Sequence, residues 1–436
     1  TFGKKDQKVI DSNVRLMEAG YAWAEVHLDF KYAIPAVRAT EPQIVVNGNT
    51  AIALGVIASG MDICAMYPIT PATSASHYLS ECFERVGGIV HQAEDEIAAC
   101  AFAIGASYAG RCAVTITSGP GYSLKQEGIG LAVMAEIPLV VVNVQRGGPS
   151  TGQPTKVEQA DMLTAVYGSH GDAPKVVIAV TSIEDCFYSM ITARKIAETF
   201  NMVVVVLTDA SLATAQQPFP RPAFSSDWLA PPLDQSPLPE GAKPYDWDKL
   251  TGIARRFSPG QPGGVHTVTG LAHDRASKVA YDPAINEEGL RARSLKLATL
   301  QKALRAPEVY GDPEGGDLLV VGWGSTQGVI EEAVQRVRDE GLKVSALQMR
   351  FIQPMPSGIK EILRRFRKVM TVEGTWADRP AEDELIDEEN RRYAPLAMML
   401  RSRTLVDVDC WTEARGQPIK PGNVVQAIRA KLSEGN

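Results

Sequence analysis

The chain has 436 residues, of which 45% are hydrophobic and 22% charged, a composition typical of a globular protein with two or three domains. Its formal net charge of −7 and the lack of a long basic run argue against nucleic acid as a partner. No apolar run approaches the roughly 18 residues that a membrane-spanning helix needs, and the first residues show no signal-peptide pattern. We therefore expect a cytoplasmic protein that binds neither nucleic acid nor membrane.

The six cysteines are scattered along the chain and form no C-x-x-C pair. Most lie among apolar residues, which predicts buried free thiols in a reducing compartment. Because thiolates at the usual spacing are missing, we do not expect this chain by itself to hold an iron–sulfur cluster.

The first 28 residues predict one amphipathic helix, which a connector links to residue 43. From Ile44 onward, short apolar runs alternate with longer helical patterns. The predicted strands are 63–67, 89–91, 113–117, 139–144, 176–180 and 203–207. Such alternation is typical of a mostly parallel sheet covered by helices on both faces. Residues 44–215 are therefore predicted to form an α/β domain.

A proline-rich stretch separates this domain from a second one. Residues 218–262 contain ten prolines, too many for helices or central strands. We expect 216–313 to be a long wrapping connector and 314–436 to be a smaller α/β domain, whose acidic stretch 377–389 predicts a solvated surface excursion. The predicted apolar anchors of the connector are Phe219, Phe224, Trp228, Trp247 and Phe257.

Four polar or Gly/Pro-rich motifs follow directly after predicted strands of the first domain. They are Met66-Tyr67-Pro68-Ile69-Thr70-Pro71, Gln92-Ala93-Glu94, Thr117-Ser118-Gly119-Pro120-Gly121 and Arg146-Gly147-Gly148-Pro149-Ser150-Thr151-Gly152. The carboxyl ends of parallel strands meet at one edge of a sheet, where α/β proteins bind their ligands. The four motifs therefore predict one binding site at that edge.

Glu94 stands between a predicted strand and a helix, next to Asp95 and Glu96. Successive helical residues rotate by ~100°, so the three carboxylates cannot all face one site. They could simply favour the helix dipole, or Glu94 could hydrogen-bond a buried heteroaromatic nitrogen. The helix that follows, 97–106, is small and apolar all round, which predicts burial either in the core or in a subunit contact.

Two other motifs likewise have a structural and a functional interpretation. The first turn is stiff because it contains two prolines, and Thr70 or Thr73 could cap the helix after it. Arg146 could grip a carboxylate with two guanidinium nitrogens, or it could form an ion pair with Asp161 or Glu158. The residues by themselves leave both choices open.

Taken in order, the four motifs resemble the α subunit of the 2-oxoacid:ferredoxin oxidoreductases, and most of all the 2-oxoglutarate type. The resemblance extends from about Ile44 to the C-terminus and includes Ser123-Leu124 and Pro154-Thr155. It implies a pyrimidine-type thiamine diphosphate-binding domain at 44–215 and a transketolase C-terminal-like domain at 314–436. Residues 1–43 would then be the tail of an upstream domain plus a linker.

The resemblance also implies roles for single residues. Glu94 would be the catalytic carboxylate that holds N1′ of the thiamine aminopyrimidine and promotes its imino tautomer, with Arg146 as the main anchor of the 2-oxoacid. The implied substrate-binding residues are Tyr67, Thr70, Arg146 and Asp274. The implied cofactor-binding residues are Glu94, Thr70, Ser118, Gly119 and Pro120. At Asp274 the match is incomplete, since Ala272 stands where the family usually has Glu.

The chain shows no Gly-Asp-Gly motif with a distant Asn, which is the usual magnesium–diphosphate clamp of thiamine enzymes. It therefore offers only the pyrimidine half of a thiamine diphosphate site. The resemblance implies a β subunit that holds the diphosphate, Mg²⁺ and a 4Fe–4S cluster. Together the subunits would form an (αβ)2 heterotetramer that passes electrons to ferredoxin.

The implied reaction is the reversible, coenzyme A-dependent oxidative decarboxylation of 2-oxoglutarate to succinyl-CoA and CO2. A pyruvate or branched-chain 2-oxoacid enzyme is the alternative within the family, because no residue plainly grips a second, distal carboxylate. The alternative from another class is a non-catalytic α/β scaffold subunit.

Overall fold

The computed structural model describes residues 6–29, 33, 38–229, 231–232, 234–380, 382 and 384–434, which fall into two compact units, Thr1–Gln43 and Ile44–Asn436. The first unit contains the predicted helix as α1 (Gln7–His27), which Asp6 caps by accepting the N–H of Lys8. None of the residues of α1 is buried. Its apolar side chains, Trp23 among them, are therefore exposed.

The second unit begins with alternating strands and helices. The strands are β1 (Gln43–Asn47), β2 (Ile63–Met66), β3 (Ile89–Gln92), β4 (Ala113–Thr117), β5 (Leu139–Gln145), β6 (Val176–Ala179), β7 (Val203–Asp209) and β8 (Gln216–Pro220). The helices are α2 (Gly48–Ala58), α3 (Thr73–Cys82), α4 (Glu96–Tyr108), α5 (Gly119–Leu124), α6 (Gln126–Met134), α7 (Met162–Tyr167), α8 (Ile183–Phe200) and α9 (Ala210–Thr214). The ends of the six predicted strands differ from the observed ends by at most two residues.

Strands β2 to β7 form a parallel sheet in the order β6-β7-β5-β4-β2-β3, which confirms the predicted fold class. Its central strands β5 and β7 are buried along their whole length. On β5, Val141 packs into the core on one face, whereas Val140 and Val142 pack into the core on the other. This double burial explains why these strands are continuous apolar runs rather than alternating ones. Strands β1 and β8 form a separate two-stranded sheet.

The helices of this domain differ in part from the sequence predictions. The cap residue of α3 is Ala72, without a side-chain hydrogen bond, so neither Thr70 nor Thr73 caps that helix. The helical segment after β4 is divided at Lys125 into α5 and α6. Helix α4 is buried on one face, and Ile97 on its other face is 56% exposed, so burial of 97–106 in the core is wrong for that face, whereas burial in a subunit contact stays a prediction.

The connector after β8 is held by some of its aromatic residues. Phe219, Trp247 and Phe257 are buried, and Trp228 packs edge-on against the aromatic rings of α8. Phe224 is 68% exposed, so the prediction that it anchors the connector is wrong. The connector leads into the long helix α10 (Pro283–Ala303).

The remaining elements form a second α/β domain. They are β9 (Val309–Tyr310), β10 (Gly316–Trp323), α11 (Gln327–Asp339), β11 (Val344–Met349), β12 (Phe351–Gln353), α12 (Ile359–Leu363), β13 (Phe366–Glu373), α13 (Pro395–Thr404), β14 (Asp409–Thr412) and α14 (Pro421–Ser433). Five of these strands form a sheet in the order β14-β13-β10-β11-β9. The sixth, β12, instead pairs antiparallel with β6, where Phe351 lies opposite Ile178. The second domain thus contributes an edge strand to the first sheet.

The acidic stretch after β13 is not solvated throughout. Asp378 is buried and accepts two hydrogen bonds from the guanidinium of Arg392, at 2.8 and 3.0 Å. These hydrogen bonds hold the pKa of Asp378 well below its usual range. The prediction of a solvated excursion is therefore wrong at this residue. Its hydrogen bonds join the start of the stretch to Arg392, which follows the stretch in the chain.

The six cysteines are all free, and Cys64, Cys100 and Cys186 are buried. Burial raises the pKa of the Cys64 thiol to about 12 and that of Cys100 to about 11, so both are protonated at neutral pH. Over the described part of the chain, no helix combines the length and the apolar character required to cross a lipid bilayer.

Candidate active site

The register of the first sheet brings the predicted motifs to one edge. Met66 at the end of β2 lies opposite Gln92 of β3 and Ile116 of β4, and Thr117 lies opposite Asn143 of β5. The segments that follow β4 and β5 line a cavity of about 650 Å³. Residues from 119–124, 146–151 and 158–161 line it. The size is within the usual range for sites that bind small molecules.

Arg146 forms a wall of this cavity and is only 7% exposed. Its Nη1 donates to the carbonyl oxygen of Thr70 at 2.6 Å, and its Nη2 donates to the carbonyl oxygen of Thr151 at 3.1 Å. Of the five guanidinium N–H donors, these bonds use two, and Nε has no partner among the described residues. Arg146 thus ties two loops together and still has donors for an anionic ligand.

No ion pair of Arg146 occurs among the described residues, so the structural interpretation that it pairs with Asp161 or Glu158 is wrong. Burial lowers the pKa of the guanidinium, while the nearby carboxylates of Asp161 and Glu96 act in the opposite direction. The loss of hydration without a paired charge makes this cation a strong site for an incoming carboxylate.

Asn49, a fully buried residue of α2, holds the turn that carries Tyr67 and Thr70. Its Nδ2 donates to the carbonyl oxygen of Pro71 at 2.8 Å and to Oγ of Ser74 at 2.7 Å. Tyr67 and Thr70 themselves are exposed at the sheet edge. A buried Asn at the start of an otherwise apolar helix is the sequence signal that would have identified this support.

The structure separates the two glutamates around the start of α4. Asp95 is the cap residue and accepts the N–H of Ala98 at 2.7 Å, so Glu96 is the first helical residue. Glu94 is exposed, whereas Glu96 is 7% exposed. The role given to Glu94 from the sequence stays a prediction, but Glu96 is the carboxylate that points into the protein.

Glu96 is packed under the turn after β4. A Cβ atom on Gly121 would come within 2.7 Å of Oε1 of Glu96 and within 2.2 Å of Oγ1 of Thr117, so only glycine fits there. From below, the buried Lys125 donates its Nζ to the backbone oxygen of Glu96 at 2.8 Å. Burial lowers the pKa of Lys125. These contacts fix both the backbone and the side chain of Glu96.

Ser118, Gly119 and Pro120 form the first part of the turn after β4. Gly119 and Pro120 line the cavity, and a Cβ atom on Gly119 would lie 2.9 Å from Oδ2 of Asp161. Ser118 is the cap residue of α5, but its fully buried Oγ makes no hydrogen bond within the described residues. The turn therefore brings an unpaired hydroxyl to the same edge as Arg146.

Two further carboxylates in the cavity were considered from the sequence only as ion-pair partners. Asp161 accepts a hydrogen bond from Nδ2 of Asn143 at 2.9 Å, and Glu158 accepts the N–H of Gly148 at 3.0 Å. Burial raises the pKa of both carboxyl groups, although Asn143 acts in the opposite direction on Asp161. Asn143 lies in a buried strand, where a polar residue inside an apolar run was an available signal.

Asp274 is not brought to this cavity. Its Oδ1 accepts the N–H groups of Ala276 at 2.8 Å and Lys278 at 2.9 Å, so the side chain closes its own turn. His273 beside it is buried, and its ring packs against that of Tyr245 with the centroids 4.1 Å apart and the planes tilted by 40°. Asp274 does not line the 650 Å³ cavity, and a role at the substrate entrance stays a prediction.

Several buried polar atoms at this edge lack partners among the described residues, namely Oγ of Ser118, Oδ1 of Asn143 and Nε of Arg146. Unpaired buried polar atoms are costly unless a ligand or water satisfies them. Together with the buried carboxylate of Glu96, they fit a heteroaromatic ring that carries both donors and acceptors, as an aminopyrimidine does. Within the described ranges, no three His, Cys, Asp or Glu side chains converge to hold a metal ion.

Two family models match the chain. The model for the thiamine diphosphate-binding domain of the pyruvate flavodoxin/ferredoxin oxidoreductases covers residues 54–284. The model for core domain II of pyruvate:ferredoxin oxidoreductase covers residues 316–381. The first match spans more than half of the chain and includes the cavity described above.

Named relatives agree with these models. The 2-oxoglutarate oxidoreductase subunit KorA of Mycobacterium tuberculosis is 36% identical over 99% of this chain and 64% of its own length. The 2-oxoglutarate synthase subunit KorA of Methanocaldococcus jannaschii is 34% identical over 74% of this chain and 86% of its own length. This chain thus spans less than two thirds of the length of the mycobacterial relative.

A solved structure also has this fold. The 2-oxoglutarate:ferredoxin oxidoreductase of Magnetococcus marinus, determined with 2-oxoglutarate, coenzyme A and succinyl-CoA bound, matches with a TM-score of 0.88 and 33% identity. The match covers 99% of this chain and 73% of that one. The chain therefore belongs to the 2-oxoacid:ferredoxin oxidoreductase family and is similar to α subunits of the 2-oxoglutarate type.

Proposed function

We propose that the chain is the α subunit of a thiamine diphosphate-dependent 2-oxoglutarate:ferredoxin oxidoreductase. Its reaction is the reversible oxidative decarboxylation of 2-oxoglutarate to succinyl-CoA and CO2, with coenzyme A as co-substrate. The observation that carries the proposal is the presence, at the ligand edge of the sheet, of a buried carboxylate, Glu96, and of a buried cation, Arg146, that has no ion-pair partner among the described residues. Relatives named for 2-oxoglutarate support the choice of substrate.

Thiamine diphosphate supplies, when bound, the nucleophilic carbon and the electron sink that loss of CO2 from a 2-oxoacid requires. The task of the protein is to hold the aminopyrimidine in the tautomer that removes the C2 proton. We propose that Glu96 holds N1′ of this ring, because Gly121 and Lys125 fix its side chain and backbone in the buried site. Glu94, which the sequence indicated, is the alternative.

The rest of the cavity suits an anionic substrate. Arg146 has three unused N–H donors for the carboxylate next to the 2-oxo carbon. Its bond to the Thr70 carbonyl joins the Arg146 loop to the turn that carries Thr70 and Tyr67, and we propose that these two exposed side chains contact the substrate. Gly119 and Pro120 also line the cavity, and we propose that they and the buried Ser118 contact the cofactor.

The proposal includes a partner subunit. The described residues provide a pyrimidine site without a metal cluster, and next to Glu94 the exposed face of α4 presents Ile97 and Phe102, which are 56% and 39% exposed. An apolar face beside half a binding site fits a β subunit that covers it and brings the diphosphate clamp, Mg²⁺ and a 4Fe–4S cluster. Electrons would then pass to ferredoxin in an (αβ)2 assembly, which we place in the cytoplasm.

The proposed function is tested by measuring which 2-oxoacid the enzyme prefers. Three charged side chains line the cavity among the described residues. Arg146 is the cation, and Glu158 and Asp161 are carboxylates. A second cation for the distal carboxylate of 2-oxoglutarate is thus lacking in the lining, and this favours the pyruvate or branched-chain alternative unless the β subunit provides it.

We expect the co-expressed αβ complex to reduce viologen in a coenzyme A-dependent way, with kcat/KM for 2-oxoglutarate at least about tenfold above that for pyruvate or branched-chain 2-oxoacids. The isolated α subunit is the control and should be inactive. A higher kcat/KM for pyruvate would assign the enzyme to the pyruvate alternative. A complex without any 2-oxoacid-dependent activity would favour the non-catalytic scaffold.

The pH dependence of the stability should show what it costs to bury the charged carboxylate of Asp161. Burial raises the pKa of Asp161 above its unfolded value, so the charged form destabilises the fold once the pH exceeds that value. Asp161→Asn is therefore expected to raise Tm by a few degrees at pH 7, with a gain that shrinks as the pH falls towards 4. Thermal unfolding between pH 4 and pH 8 measures this. A Tm that is lower than that of the wild type at pH 8 would contradict it.

A further inference from the structure

Gln159 is a buried residue in the segment 158–161, and its side chain points away from the cavity that the neighbouring residues line. It is 1% exposed and lies between Glu158 and Asp161, both of which line the cavity. Its Oε1 accepts the N–H of Gly374 at 2.9 Å, and its Nε2 donates to the carbonyl oxygen of Trp323 at 3.0 Å. Its backbone N–H donates to the carbonyl oxygen of Gly374 at 2.7 Å. All three bonds are made to the second domain.

The two receiving turns are shaped around this amide. They follow β10 and β13, at the carboxyl ends of two neighbouring parallel strands. Gly324 has a φ of +60°, and a Cβ atom there would lie 2.4 Å from Nε2 of Gln159. A Cβ atom on Gly374 would lie 3.2 Å from Oε1. A larger residue at position 324 would displace the glutamine amide, and one at position 374 would crowd it, so the fit depends most on Gly324.

The contacts on either side of Gln159 lead directly to the cavity. Glu158 accepts the N–H of Gly148, which fixes the loop that begins at Arg146. Asp161 accepts from Asn143, and its own N–H donates to Oε1 of Gln145 at 3.0 Å. A shift of Gln159 would therefore move both cavity carboxylates and the loop next to the Arg146 guanidinium.

We propose that Gln159 is a positioning residue through which the second domain sets the geometry of the 2-oxoacid cavity. The proposal rests on the function proposed above for that cavity. Gln159 does not line the cavity, so it acts through Glu158, Asp161 and the Arg146 loop. A displacement of about 1 Å in the residues that line a substrate cavity is enough to lower kcat/KM by a large factor.

The chain offers a matched control in a second contact between the same two domains. Oγ of Ser325, in the turn after β10, donates to Oδ2 of the buried Asp209 at the end of β7. This contact does not include the cavity wall. Ser325→Ala therefore weakens the attachment of the second domain without touching the residues around the substrate.

The kinetic test compares Gln159→Ala with Ser325→Ala in the αβ complex. We expect Gln159→Ala to raise KM for 2-oxoglutarate by about tenfold or more, while kcat and the KM for coenzyme A change by less than about threefold. Ser325→Ala should keep the wild-type KM. Equal effects of the two substitutions on KM would overturn the proposal, since loss of domain attachment alone would then explain them.

Hydrogen–deuterium exchange decides the matter independently of any activity. In the Gln159→Ala complex, amides in 147–152 and 158–161 should exchange at least several times faster than in the wild type, and in Ser325→Ala they should not. Unchanged exchange in Gln159→Ala would overturn the inference even if the enzyme functions as proposed. Conversely, a wild-type complex without 2-oxoacid-dependent activity would remove the proposed function, and the exchange result would still decide the role of Gln159.

Discussion

Glu96→Gln is expected to lower kcat of the αβ complex by at least the ~10²–10⁴-fold typical of lost acid–base assistance. The amide keeps the shape of the carboxylate and its packing under Gly121, but it cannot hold a proton for N1′ of the aminopyrimidine. Affinity for thiamine diphosphate should change far less than kcat, because most of the binding surface remains. Steady-state viologen reduction and calorimetric titration with the cofactor measure the two quantities.

Glu94→Gln is the matched control, since it makes the same chemical change two residues away at an exposed position. We expect it to retain most of the wild-type kcat. The reverse pattern, with an active Glu96→Gln enzyme and an inactive Glu94→Gln enzyme, would restore the role that the sequence assigned to Glu94. Full activity in both variants would exclude either residue as the N1′ partner.

Arg146→Ala is expected to raise KM for the 2-oxoacid by at least about 30-fold, which corresponds to the lower end of the ~2–5 kcal/mol lost when one member of a buried charge pair is removed. The substitution takes away the unused donors and also the bonds to the Thr70 and Thr151 carbonyls. Initial rates as a function of 2-oxoglutarate, at saturating coenzyme A, give this KM.

Arg146→Lys separates the two roles of the side chain. Lysine keeps the charge but lacks the planar fork, so it cannot bind the two carbonyls and also grip a carboxylate with two parallel hydrogen bonds. We expect an intermediate KM for this variant. An unchanged KM in Arg146→Ala would show that the guanidinium only joins the two loops and that the substrate carboxylate binds elsewhere.

The sequence was sufficient to predict the layout of this protein. Apolar strands bounded by Gly/Pro-rich turns predicted the parallel sheet, and the geometry of such sheets then placed all four motifs at one edge. Arg146 and the turns with Thr70 and Gly119 were identified in this way, because each directly follows a buried strand. These features depend on residues close together in the chain, where local patterns are informative.

Features that depend on distant contacts were not predictable. Which of Glu94 and Glu96 is buried depends on where α4 begins, and a shift of one residue rotates the side chains by ~100°. Gln159 contacts Trp323 and Gly374, which lie 164 and 215 residues away in the chain. Phe224 was predicted to anchor the connector because it is aromatic, but no pattern within the connector indicates which of its aromatic side chains pack against the rest of the protein.

The most direct test of this account is an experimental structure of the αβ complex with thiamine diphosphate bound. The account predicts that a carboxylate oxygen of Glu96 lies about 2.6–3.2 Å from N1′ of the aminopyrimidine, with the Arg146 guanidinium facing the reactive carbon. It is contradicted if the cofactor ring lies away from the carboxyl edge of the first sheet, or if Glu96 remains unpaired while another side chain holds N1′.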